Sequence, residues 1–113
     1  MPFVRVQLSP AVDDQDGLKA ELSKAVAQAL GKPESYMMVV LQPGTSMLMG
    51  GSPDPAALVE VRSVGTINPD QASALSGTLS QIVAKAGVDA NRVYCNFAGV
   101  PGTMWGMGGR TFG

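Results

Sequence analysis

The sequence predicts an α/β (α+β) chain: two tandem βαβ units with a pseudo-twofold repeat, a four-stranded sheet plus short strands, and two helices on one face. Three observations carry this. Residues 3–8 and 58–64 alternate apolar and polar side chains with the period of a half-buried strand. Residues 18–30 and 72–86 place apolar side chains at helical spacing, and each run is stopped by a glycine. The stops, Gly31 and Gly87, stand 56 positions apart, as do Leu30 and Ala86. That offset sets Pro2 opposite Leu58 and Met38 opposite Tyr94. The chain therefore reads as one domain over residues 1–113, with repeat halves of about 1–56 and 57–113.

Each element has a local cause. The first strand is Phe3-Val-Arg-Val-Gln-Leu8. Asp13, Asp14 and Asp16 then put negative charge where a helix N-terminus favours it. Leu18, Leu22, Ala25, Val26, Ala29 and Leu30 form the buried stripe of the first helix, and Pro33 follows its glycine stop. Residues 36–42 are apolar and partly β-branched, as in a buried strand, and Pro43-Gly44 ends them. The second half repeats this order with Leu58-Val-Glu-Val-Arg-Ser-Val64. Asn68 is a helix cap, with Pro69 at the first helical position and Gln71 three residues after the cap. Ala72, Leu75, Leu79, Ile82, Val83 and Ala86 mark the second helix face, and residues 92–97 form the closing strand.

Two helices cover one sheet face and leave the other face and the edges open, while stretches such as Met37-Met-Val-Val-Leu41 read as apolar on both faces. Association into a symmetric ring would cover them. The tail from Gly99 holds glycines 102, 106, 108, 109 and 113 besides Gly99 itself, together with Trp105, Met107 and Phe112. It either frays or wraps a neighbour and lines a pocket.

Composition excludes several function classes. Apolar residues make up 45% of the chain, enough for a core, and the formal net charge is −1 with no basic cluster among eight Lys and Arg. Nucleic-acid binding has no electrostatic footprint here. The single cysteine, Cys95, rules out an intrachain disulfide or a CxxC motif, and the absence of histidine argues against a metal site. No cofactor is implied. No apolar run approaches the roughly 20 residues that span a bilayer, and no signal peptide is visible. A soluble, cytoplasmic protein is expected, with no membrane partner.

Pro2, directly behind Met1, bears most on function. Removing Met1 would leave Pro2 with a free secondary amine. The reference α-amino pKa is about 7.7–8.0 against about 10.4 for lysine, so such an amine can take a proton from carbon near neutral pH. A chain without histidine lacks the usual base for that task. Alternatively, Pro2 merely blunts an edge strand.

Six segments taken in order then carry a resemblance: Met1-Pro2-Phe3; Leu30-Gly-Lys-Pro33 with Tyr36; Met49-Gly-Gly-Ser52; Ser63-Val64-Gly65; Asn91-Arg-Val-Tyr-Cys-Asn96; and Arg110-Thr-Phe-Gly113. Spread over the whole chain, they resemble the macrophage migration inhibitory factor family of the tautomerase superfamily. The resemblance implies a homotrimer and keto–enol tautomerisation of phenylpyruvate-type α-keto acids and dopachrome-like compounds. Pro2 would be the catalytic base and Lys32 the partner of the substrate carboxylate. Ser63 and Val64 would supply a backbone donor and an apolar wall, with Val64 where isoleucine is more usual. Tyr94 and Asn96 would come from the neighbouring subunit. Phe3, Tyr36, Trp105, Met107 and Phe112 would line the pocket, although Met107 stands where many members carry tryptophan. The family's CxxC would fall near residues 57–60, where no cysteine is present, so a thiol-oxidoreductase activity is not expected.

Those roles suit the chemistry. One base can remove the α-proton and return it elsewhere. It must be neutral to do so, and burial among Phe3, Val64 and Phe112 together with the Lys32 charge would favour the neutral amine. Asn96 or Tyr94 could donate to the developing enolate oxygen. Simpler roles stay open: Lys32 as a helix-end charge, Tyr36 as core, Asn96 as an interface hydrogen bond, and Met37, Met38, Met47 and Met49 as packing. The resemblance also admits a cytokine-like signalling or binding protein, secreted by a non-classical route, with vestigial catalysis.

Overall fold

The computed structural model describes residues 1–113. Strand β1 (Pro2–Leu8) leads to helix α1 (Gln15–Leu30) and strand β2 (Met38–Gln42). Strand β3 (Ala57–Val64), helix α2 (Pro69–Ala84) and strand β4 (Val93–Val100) repeat that order. A hairpin of β5 (Gly106–Met107) and β6 (Arg110–Thr111) ends the chain. The main sheet runs β2-β1-β3-β4. Each βαβ unit contributes a parallel pair, and the two units meet where β1 and β3 lie antiparallel at the centre.

Alternation decides which side is the core. Val4, Val6 and Leu8 of β1 and Ala57, Val59 and Val61 of β3 are buried under both helices, against Leu18, Leu22, Val26, Leu75, Leu79 and Val83. Val39 and Leu41 of β2 and Val93, Cys95 and Phe97 of β4 extend this layer to the edges. The opposite side is not uniformly apolar, contrary to the expectation drawn from the sequence. Its edge strand offers Met38, but its centre carries Arg5, Glu60 and Arg62, with Arg5 paired to Glu60. A period-two strand that commits its valines to the helices must turn its charges the other way.

The local signals are met with small shifts. Asp14 caps α1 by accepting from the Gly17 N–H, so the helix begins three residues before Leu18. Gly31 ends α1 in a left-handed conformation with φ 64°, which favours glycine. Asn68 and Gln71 form a reciprocal capping box at α2, with Asn68 accepting from the Gln71 backbone at 2.8 Å. Tyr36 falls outside β2: its N–H donates to the Pro33 carbonyl in a 3-10 turn and is lost to the ladder. Arg92 likewise closes a 3-10 turn ahead of β4, and β4 continues to Val100 instead of stopping at Phe97. The tail does not fray. Gly102–Met104 form a 3-10 turn, and the Phe112 N–H donates to the Gly102 and Trp105 carbonyls.

The offset of 56 holds for the glycine stops and for the core-facing edge pairs, Val39 with Cys95 and Leu41 with Phe97. It fails in the central strands. There Pro2 faces the core while Leu58 points to the opposite side, so β1 and β3 correspond only at an odd offset. A shift of one residue exchanges the faces of a strand, and the loops of the two halves absorb it. Substituting Asn68→Ala is expected to lower stability by about 1 kcal/mol, and Leu79→Ala by about 2–5 kcal/mol. Urea unfolding followed by circular dichroism measures both.

Candidate functional site

Strand directions gather the candidate residues at one end of the sheet. β1 starts there with Pro2, and α1 returns to it, so that Lys32 follows the helix directly. β2 departs from the same end, with Met38 beside Phe3, and the Tyr36 turn stands just before it. β3 arrives with Ser63 in register with Pro2, and the Val64 N–H donates to the Met1 carbonyl at 3.1 Å. β4 also ends here, leading into the segment that carries Trp105. Pro2, Lys32, Ser63, Val64, Phe3 and Trp105 thus share one end of a rigid sheet.

Pro2 is buried, and Ser63 is only 3% exposed, its hydroxyl donating to the Val64 carbonyl. Phe3 packs on Trp105 with ring centroids 5.8 Å apart and a 40° tilt. This contact anchors the glycine-rich tail to the sheet. Close passage also shapes the floor. The Gly65 N–H donates to the Val100 carbonyl, and Gly99 lies so near the Gly65 backbone that a Cβ there would sit 2.2 Å from its carbonyl oxygen. Only glycine lets the chain after β3 and the last turn of β4 approach in this way.

The electrostatics of the chain terminus oppose protonation of its amine. The Met1 amine has its pKa held below the usual N-terminal value, first by desolvation and second by the Lys32 charge. Lys32 has its backbone N–H tied to the Ala27 carbonyl at 2.9 Å, which fixes the root of its side chain at the helix end. No ion pair within the chain claims its ammonium.

Other candidates stand apart. Tyr94 and Asn96 point to the open side of edge strand β4, and Tyr94 is 65% exposed. Tyr94 lies opposite Leu58 and Asn96 opposite Glu60, five and three residues along β3 from Ser63. At about 3.3 Å per residue, that sets them about 17 and 10 Å from the level of Pro2. One subunit therefore does not unite them with Pro2. Tyr36 is 52% exposed and is not core. Met107 on the terminal hairpin and Phe112 just after it are exposed, and the Phe112 backbone is tied to Gly102 and Trp105. Cys95 faces α2, where burial raises its thiol pKa and hydrogen bonds with Ser76 and Ser80 partly oppose the rise. It takes no part in this end of the sheet.

Sequence reasoning missed Arg92. Its guanidinium donates to the carbonyls of Met49, Ser52 and Asp54, and its Nε to that of Pro55. It thereby clamps the Met49–Ser52 turn to the start of β4 at the end remote from Pro2. No spacing signal links positions 49 and 92. A cleft of about 370 Å³ between the start of α1 and the end of α2, crossed by the Lys85–Glu21 ion pair, also lies at the remote end and contains none of the candidate residues. There is no cluster of His, Cys, Asp and Glu able to hold a metal ion, and no helix is long and apolar enough to cross a membrane.

The sheet of two βαβ units is shared with solved structures of the tautomerase superfamily, which sets the class first. The particular family follows from comparison with known proteins. The family model for macrophage migration inhibitory factor matches residues 1–113, and the chain belongs to that family. It is 35% identical over 114 residues to the macrophage migration inhibitory factor of Meriones unguiculatus, covering 99% of each chain. It is 30% identical to the homolog of Brugia malayi over the full length of both. The crystal structure of the Prochlorococcus marinus homologue superposes with a TM-score of 0.92 at 38% identity, covering 98% of this chain and 99% of that one. The Toxoplasma gondii protein gives 0.91 at 38% identity, covering 97% and 99%.

Lys32→Ala is expected to raise the pKa of the chain-terminal amine, because a positive charge that opposes protonation has gone. An NMR titration of the amine in the parent and the variant measures the shift, and its sign is upward.

Proposed function

We propose that this chain is a keto–enol tautomerase of phenylpyruvate-type α-keto acids and dopachrome-like compounds, with Pro2 as the base once Met1 is removed. The observation that carries the reading is the meeting of the chain terminus with Lys32 at one end of the sheet, where desolvation and a cation both hold the amine towards its neutral form. Removal of Met1 moves the amine back one position, onto a residue already buried at the head of β1. A secondary amine in that place abstracts the α-proton and then returns it, so one group serves both steps. Lys32 holds the substrate carboxylate as a point charge. The Val64 backbone N–H, which donates to the Met1 carbonyl in this structure, is released when Met1 leaves and becomes a donor for substrate. Phe3, Trp105 and Val64 exclude water from the ring end.

The same reading takes the protein as a homotrimer with its site shared between subunits. Its support is the separation of Tyr94 and Asn96 from Pro2 within one chain, together with their exposure on an edge strand. Asn96 is disfavoured in a strand by propensity, and a role as donor to a neighbour's substrate gives it a function. The competing reading, a cytokine-like binding protein, needs surface shape but has no physical need of a terminal amine whose protonation is opposed by burial and by a lysine.

Two measurements test this. Chains verified by intact mass to have lost Met1 are expected to tautomerise phenylpyruvate, and chains retaining it to be slower by about 10²–10⁴, the usual effect of losing a catalytic base. Equal activity in both would exclude Pro2 as the base. Light scattering is expected to give three times the subunit mass. Hybrids of Pro2→Gly and Asn96→Ala subunits should regain activity that neither variant has alone, since some shared sites then carry both residues intact. Absence of such rescue would place each site within one subunit.

A further inference from the structure

We propose that Arg92 is a positioning residue for the reaction in the neighbouring subunit: its grip on the segment before β3 sets the first rung of the β3–β4 ladder and so holds Tyr94 and Asn96 where the partner's Pro2 needs them. The proposal rests on the shared-site reading for the roles of Tyr94 and Asn96, and on the following observations for the grip. β4 is an edge strand whose single ladder within the chain is with β3. That pair is parallel and joined through α2, so no tight turn fixes its register as a hairpin turn would. Tyr94 and Asn96 are exposed on the open side, alternating with Val93, Cys95 and Phe97, which pack towards the core. A shift of one residue would exchange these two sets. The first rung sets Ala57 against Val93.

Arg92 stands directly ahead of that rung. Its own backbone is held, with its N–H donating to the Asp89 carbonyl at 2.8 Å while the Asp89 carboxylate accepts from the Asn91 N–H at 2.8 Å. The half-buried guanidinium then reaches across to the segment that leads into β3. Nη1 donates to the Met49 carbonyl at 3.3 Å, Nη2 to those of Ser52 and Asp54 at 3.0 Å, and Nε to that of Pro55 at 3.0 Å. Asp54 and Pro55 come just before Ala57, so one side chain ties the start of β4 to the start of β3. The carbonyls are themselves preset. Met49 and Ser52 exchange backbone hydrogen bonds at 3.0 and 3.1 Å, around Gly50 and Gly51 at φ 58° and 76°, a turn that favours glycine. Arg92 forms no ion pair, and its donors are all directed to this segment. A lysine, whose donors radiate from one nitrogen, cannot span four carbonyls. Tyr94 and Asn96 follow Arg92 at once, whereas Pro2 and Lys32 of the same chain lie at the opposite end of the sheet. An error at Arg92 therefore reaches the donors offered to the neighbour before it reaches the base.

Arg92→Lys and Arg92→Gln, with the fold checked by circular dichroism, are expected to lower kcat/KM for phenylpyruvate by about ten- to a hundredfold, as small displacements of reacting groups do. The acid limb of the pH–rate profile should stay in place, because Pro2 and Lys32 are untouched. Gly51→Ala, which strains the gripped turn from the other side, should reproduce the loss. Hybrid trimers locate the defect. Arg92→Lys subunits mixed with Pro2→Gly subunits should regain activity, since some sites then join an intact Pro2 to an intact β4. Mixed with Asn96→Ala subunits they should not, since every β4 is then impaired. The reverse pattern would mean that Arg92 serves the Pro2 of its own chain and would overturn the proposal, as would parental kcat/KM in both Arg92 variants. Absence of turnover in the parent, or failure of Pro2→Gly and Asn96→Ala subunits to complement, would refute the shared-site reading and this role with it. Cys95, the single thiol of the chain, then decides the grip by itself, since it lies between Tyr94 and Asn96 and faces α2. Its reaction with dithiodipyridine should be roughly fivefold faster in Arg92→Lys than in the parent or in Val26→Ala, a core substitution on α1, as local opening of β4 requires. Equal rates would show that Arg92 does not hold the strand.

Discussion

At the centre of the sheet β1 and β3 run antiparallel, with Val4 against Val61 and Val6 against Val59. The remaining architecture depends on this pairing. It is the only ladder that joins the two βαβ units, and all four of these valines are fully buried. Because the side-chain period of a strand is two, committing the valines to the helices fixes the face of every other residue on both strands. Pro2 and Ser63 go inward, while Phe3, Arg5, Glu60 and Arg62 go outward. A slip of one residue would expose the valines of the strand that shifts and bury its charges, Arg5 on β1 or Glu60 and Arg62 on β3, so the register is strongly specified.

Direction follows from the same pairing. With β1 leaving one end of the sheet and β3 arriving there, the chain terminus, the C-terminal end of α1 and the last residues of β3 must converge. Right-handed crossovers through α1 and α2 put both helices on one side. The terminal amine is thus set beside Lys32 without any dedicated loop, and the rigid ends of regular elements hold the groups.

The four arginines show how context divides one chemistry into several roles. Arg92 braces a turn through backbone carbonyls. Arg5 is balanced by a carboxylate across the central ladder. Arg62 stays unpaired beside aromatic rings, and Arg110 projects from the exposed terminal hairpin. Sequence pattern treats all four alike, because charge and exposure by themselves do not reveal what lies within reach of a guanidinium.

Much of this protein is determined by local sequence. The alternation in β1 and β3, the stripes of α1 and α2, the Asn68–Gln71 capping box and the Gly31 stop arise from contacts within a few residues, and all are legible without coordinates. The family and the candidates Pro2 and Lys32 were legible in the same way, from short segments in order. Other features were decided only by tertiary structure. The odd offset between β1 and β3 was hidden because the helix stops and edge strands keep to 56 while the loops absorb the difference. Tyr36 left its predicted strand because the turn after Pro33 took its N–H. The clamp of Arg92 on the turn at Met49, the stacking of Trp105 on Phe3 and the separation of Tyr94 and Asn96 from Pro2 join or part residues that are dozens of positions from one another. Their cause is the common one: a hydrogen-bond ladder specifies which strands lie side by side, and that choice is made by burial summed over the whole core rather than by any single stretch of chain.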